Sequence, residues 1–147
     1  MSWDPVIVRI KGTFRPVTET VDEDYELLGS AEFVRDAINA AFPSTEWSNP
    51  TWAVYSGRDF QIEFSVQPKN DVPGGPIPWL LLHVHGRGDV ISALLKLCNR
   101  HGWLVVDTSA GAFIDPMNPS YESWQGFQDL VARGMRDAES RRNGNET

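Results

Sequence analysis

The sequence has little cysteine, no long apolar run and no surplus of basic charge. Cys98 is its only cysteine, which excludes an internal disulfide. It lies on the apolar side of the helical pattern ISALLKLCNRHG and reads as a small buried hydrophobe. No stretch approaches the roughly 18 apolar residues that a membrane-spanning helix needs. The opening MSWDPVIVRIKG lacks a basic start, an apolar segment and a small-residue cleavage site, so a cytoplasmic location is expected. Thirteen Lys and Arg against twenty Asp and Glu leave a net charge of −7. That balance argues against a nucleic-acid partner and against an anionic membrane surface. It admits a basic protein, which opposite charge would steer toward the chain.

Catalytic signatures are also missing. There is no Gly-x-Ser-x-Gly elbow, no His-Glu-x-x-His pair, no Walker loop and no three-glycine dinucleotide fingerprint. What is present is an ordinary globular composition, 41% hydrophobic over 147 residues, which suits one core. A single domain over residues 1–138 is expected, followed by a flexible tail at 139–147.

The elements follow from periodicity. DPVIVRI is short and β-branched and predicts a first strand. Residues 16–29 hold five acids and no base, and read as a surface loop or an irregular edge. SAEFVRDAINAAF repeats its apolar residues at three and four, with Ser30 as N-cap and Pro43 after its end. TWAVYS and DFQIEFSVQ form a hairpin, and strict alternation from Phe60 to Gln67 marks a half-buried strand. A proline- and glycine-rich loop then leads into WLLLHVH. Asp89 caps a second helix, Gly102 ends it, and WLVVD follows as a strand. This β-α-β unit predicts two parallel strands. Tyr121, Trp124, Phe127, Val131 and Met135 stand at helical spacing in a closing helix. The expected fold is α+β. It has one mixed, mostly antiparallel sheet of about five strands and helices largely on one face, in the order β-α-β-β-β-α-β-α.

Candidate sites are few. His83 and His85 share one face of a strand and could hold a metal, with Asp89, His101, Asp107 or Asp115 nearby. The competing reading puts both histidines on the wetter face, opposite Leu80, Leu82 and Val84. The turn HGRGD could cradle a phosphate, but Asp89 sits where the anion would dock, which favours helix capping. No metal or cofactor is expected. The aromatics are more suggestive. Trp79, Trp103 and Trp124 lie in patterned elements and read as core. Trp47, Trp52 and Tyr55 lie in or beside the loop PSTEWSNPTW, and Trp and Tyr favour interface centres. Together with Asp22, Glu23, Asp24 and Glu26 they would form an acidic, aromatic-anchored face. Arg87, at the tip of the HGRGD turn, is a further partner-binding candidate.

The segments YELLGSAEFVRDAINAAFPSTEWSNPTW, FQIEFSVQ, LLLHVHGRGD and LCNRHGWLVVDTSAGAFID resemble a set of small acidic bacterial proteins. Such proteins resemble the immunity proteins that accompany secreted polymorphic toxins. The likeness covers residues 22–115 and carries over no functional residue. It implies a cytoplasmic, non-enzymatic protein that neutralises a basic toxin domain by occluding it. Two other readings compete. One is a small metal-dependent hydrolase or transferase built around His83, His85, Asp89 and Asp107. The other is an oligomerising module that uses an exposed sheet edge.

Overall fold

The computed structural model describes residues 1–145, and the side chains of residues 1–142. Its strands are β1 (Val6–Ile10), β2 (Tyr25–Glu26), β3 (Glu46–Asn49), β4 (Trp52–Ser56), β5 (Phe60–Ser65), β6 (Leu80–Gly86), β7 (Leu104–Asp107) and β8 (Ala112–Phe113). Its helices are α1 (Ala31–Ala41), α2 (Val90–His101) and α3 (Glu122–Asn145). The α+β class and the three helices agree with the sequence reading. The sheet differs, with eight strands where about five were expected. Its order is β3-β4-β5-β6-β1-β7-β8, with β2 paired to β1.

The three added strands are short or hidden in polar segments. β2 lies in the acidic run, β3 in the Trp47 loop and β8 in the turn-rich TSAGAFI connection. None has the apolar alternation that marks a strand in sequence. Each is held by one neighbour: β2 by β1, β3 by β4, β8 by β7.

The β-α-β unit is split. β6 and β7 do run in the same direction, because each pairs antiparallel with β1. They are not neighbours, since β1 lies between them. Every ladder between named strands is therefore antiparallel, and the expected mixed sheet is corrected on this point. Periodicity marks β1 as a strand but carries no information about where it inserts.

The pleat sends alternate residues to opposite faces. One face carries Ile7, Ile62, Phe64, Leu80, Leu82, Val84 and Val105, and packs on α1 and α2 in one large core. α1 contributes Val34, Ala37 and Ile38, and α2 contributes Val90, Ile91, Leu94, Leu97 and Cys98. Both N-caps form as read: Ser30 Oγ accepts from Phe33 N at 3.1 Å, and Asp89 Oδ1 accepts from Ser92 N at 3.0 Å. Gly102 takes φ +68° and ends α2, a backbone state glycine adopts at little cost.

α3 joins this core only at its start. Trp124 is buried and lies 5.6 Å from Trp3 between ring centroids. Phe127 and Val131 are half-buried, whereas Tyr121 is 41% and Met135 69% exposed. The stripe at helical spacing is thus covered in its middle and bare at both ends. The helix continues to Asn145, into the stretch assigned to a tail. No helix among the described residues is long and apolar enough to cross a membrane.

Two tests follow from the core. Leu94→Ala removes a fully buried side chain and should cost about 3 kcal/mol in urea unfolding; a loss below about 1 kcal/mol would mean the site collapses around the gap. Burial pushes the Cys98 thiol strongly up. A thiol reagent should therefore leave the native protein unmodified and label one group in denaturant, and rapid native labelling would contradict the packing.

Candidate functional site

The turn HGRGD is architecture. Gly86 and Gly88 take φ +101° and +92°, and a Cβ on Gly86 would lie 2.4 Å from the Asp59 carbonyl oxygen. Arg87 N donates to that carbonyl at 2.9 Å, and Gly88 N donates to Gln128 Oε1 at 3.3 Å. Trp124 Nε1 donates to the Gly88 carbonyl at 2.7 Å. Asp89 Oδ2 accepts from Ser92 Oγ at 2.7 Å. These donors are already engaged, so the turn presents no cradle to a phosphate. It locks the β4–β5 hairpin, α2 and α3 together. Arg87 itself is exposed at the tip.

His83 and His85 lie on the face away from the helices, as the competing reading held. His83 Nδ1 is 2.9 Å from Asp4 Oδ1, and His85 Nε2 is 3.5 Å from Glu63 Oε1. His85 Nδ1 also meets the Met1 carbonyl at 3.0 Å. The four residues of the enzymatic reading do not converge. Asp89 is spent on its cap. Asp107 is buried, and its carboxylate accepts from Ser109 N at 3.1 Å. It follows Val106 in β7, and the pleat turns it with Val105 toward the helices, away from both histidines. Asp115 likewise accepts from Met117 N at 2.9 Å. Among the described residues no three His, Cys, Asp or Glu side chains stand together as a metal ion would require.

The second sheet face is only partly roofed. Val8, Ile10, Leu104 and Phe113 form a small cluster there, capped by Val17 of the acidic segment. Phe14 adds a tilted contact with Phe113 at 6.1 Å. One register row crosses this face from the open side into the roofed cluster: Trp52, Ser65, Leu81, Val6, Val106, Phe113. Leu81 in that row is 40% exposed.

Trp79 stands at the edge of this bare strip. It is 49% exposed, which corrects its assignment to the core; Trp103 and Trp124 are buried as expected. Trp79 precedes β6 and shares the parity of Leu81, His83 and His85, so the pleat turns it away from the helices. Two open grooves flank it, of roughly 510 and 530 Å³, and both are walled by Tyr25, Pro78 and Trp79 with Asp22 at the rim. One continues over Val6, Val8 and Leu81. The other continues past Lys69 and Asp71. A third cleft, of roughly 320 Å³ beneath Pro73 and Ile77, has Asp71 as its one charged wall.

The aromatics expected to anchor an acidic face do not lie together. Trp47 pairs with Ala53 on the helix side. Its Nε1 donates to Asn39 Oδ1 at 2.8 Å, and the Arg35 guanidinium sits 4.8 Å from its ring centroid. It pins β3 to α1. Tyr55 packs on Phe42 at 5.0 Å and serves the core margin. Trp52 alone of the three lies on the bare face, 6.3 Å from His83. Of the four acids, Asp24 is bound to Arg15 at 2.9 Å, and Glu26 lies 3.8 Å from Arg9. The backbone hydrogen bond from Val21, and then the Arg15 contact, hold the Asp24 carboxyl below its usual range. Asp22 and Glu23 make no ion pair among the described residues, and Asp22 lines both grooves with exposed Glu23 next to it in the chain. Trp79 and Tyr25 are the residues that sequence reasoning missed.

No family model, curated protein or solved structure matches the chain.

The Asp4 carboxyl also titrates low. Partial burial raises it, but hydrogen bonds from Ser2 and His83 and the charge of His83 and His85 outweigh that. A carboxyl depressed in the folded state contributes stability at neutral pH, which is lost as pH falls through the depressed value. The Asp4 side chain is 51% exposed, so screening keeps the effect small. Asp4→Asn should flatten the fall in urea midpoint between about pH 5 and pH 2. An unchanged slope would show that the pair has no energetic weight.

Proposed function

We propose that the chain is a non-enzymatic protein-binding module, most specifically an immunity protein that neutralises a basic toxin domain by occluding it. The observation that carries the binding reading is Trp79, half-exposed between two grooves whose shared rim holds the free carboxylate of Asp22. An exposed aromatic wall with unpaired acids beside it suits a partner that offers an apolar anchor within basic surroundings. The anchor would fill the groove over Val6, Val8 and Leu81. Lysines or arginines around it would meet Asp22 and Glu23, and a guanidinium can stack on Trp79 or Tyr25. The resemblance of residues 22–115 to small acidic bacterial proteins adds the toxin as the kind of partner. The net charge of −7 supports fast encounter with such a partner.

The test begins with the neighbouring gene. Its product should be toxic alone, harmless when this chain is co-expressed, and should co-purify with it. Trp79→Ala should weaken that complex at least about tenfold, as loss of an interface anchor does. The folded stability of the variant should stay close to that of the parent, because Trp79 lies outside the core. A harmless neighbour that does not co-purify would overturn the toxin reading. A complex indifferent to Trp79→Ala and to Asp22→Lys would overturn the groove as its seat.

A further inference from the structure

The outer half of α3 is an unpartnered arm whose chemistry matches the Trp79 grooves. Residues 131–142 carry Arg133, Arg136, Arg141 and Arg142 against Asp137 and Glu139, a local charge of +2. Residues 1–130 carry nine bases against seventeen acids, a charge of −8. The arm is therefore the basic part of an acidic chain. It is also amphipathic. Val131, Met135 and Ala138 continue the stripe that Trp124 and Phe127 begin, yet Met135 is 69% and the flanking Leu130 49% exposed.

Nothing within the described chain covers this stretch. Every described residue from Ala132 to Arg142 is exposed. Its helical preference is modest, since Gly134 stands mid-helix with open space around it. Isolated helices of this length are marginal in water without a packed face. The α3 arm thus presents an apolar anchor in basic surroundings. Those are the features that the groove beside Trp79 selects.

We infer that two copies of this chain exchange arms, each α3 laying Met135 and its flanking arginines into the other copy's Trp79 groove. The exchange is reciprocal and closes on a two-fold axis, so it ends at a dimer. Each seat brings Arg133 and Arg136 near Asp22 and Glu23 and puts an apolar side chain against Tyr25, Trp79 and Leu81. The inference rests on the grooves being a docking surface. It adds that each groove is held closed by the other copy's arm until a partner displaces it.

Sedimentation velocity on the full chain is the test. At about 100 μM, enough to populate a complex of micromolar Kd, the mass should approach twice the 16.5 kDa of one chain. Met135→Glu and Trp79→Ala should each shift the midpoint at least about tenfold toward monomer. Charge reversal adds a sharper arm. The Arg133→Glu/Arg136→Glu protein and the Asp22→Lys/Glu23→Lys protein should each be monomeric alone and should form a dimer when mixed. A wild-type chain that stays monomeric at that concentration overturns the inference. So does a dimer broken by Met135→Glu but not by Trp79→Ala, which would mean arm against arm. If the wild type is monomeric while Trp79→Ala still releases a toxic neighbour, the exchange fails and the proposed function stands. If Trp79→Ala leaves both complexes intact, the groove itself is wrong.

Discussion

Strand β1 satisfies the backbone of β6 and β7 at once, and holds β2 beyond them. Val6 and Ile7 pair with β6, and Val6 to Val8 pair with β7. Without it, β6 and β7 would be parallel strands held apart, each with a row of unmatched amides. Burying such groups unpaired costs about as much as losing the hydrogen bonds outright. The central sheet therefore closes only when the N-terminal strand arrives. Trp3 extends the same strand, bonds Val84 in both directions and packs on Trp124, so β1 also seats the last helix. Elements from both ends of the chain meet through this one strand, which makes the fold rich in contacts between residues distant in sequence.

The same strand divides the two faces of the molecule. Ile7 points to the helices and is fully buried, while Val6 and Val8 point the other way. The helix side is closed by α1 and α2. Among the described residues the other side is roofed by the 13–24 segment, which is too polar and too short to cover the whole sheet. It reaches Val8, Ile10, Leu104 and Phe113 and stops. Of its acids Asp24 alone is bound among the described residues, to Arg15 and to the amide of Val21. The bare strip and the free acids are thus two results of one covering that ends early.

Much of this was legible. The helices, their caps, the hairpin, the β6–α2–β7 unit and the wet face of the histidines follow from periodicity and capping chemistry. The insertion of β1 does not, because strand order is decided by pairings far apart in sequence. β2, β3 and β8 were hidden because pairing with a neighbour, and not their own alternation, makes them strands. The site was within reach. The parity that places His83 and His85 opposite Leu80 and Leu82 also places Trp79 and Leu81 with the histidines. Applied to TWAVYS, it separates Trp52 from Tyr55. Loop position drew the choice toward Trp47 and Tyr55, when parity along the strands was the better guide to which aromatics face solvent.

An exposed tryptophan beside exposed Leu81 and half-buried Val6 is not neutral for a small acidic domain. Burying the uncovered half of Trp79, about 100 Å², would return about 2.5 kcal/mol at about 25 cal/mol per Å². That exceeds what one surface ion pair contributes, about 0–1 kcal/mol. In the proposed complex the apolar wall would therefore supply the affinity, and the acids around it would select among partners. A neutral apolar segment would be held by the wall but not steered to it. A basic segment without an anchor would be steered but not held. The proposed occupant needs both properties, and the outer half of α3 combines exposed Met135 with Arg133 and Arg136.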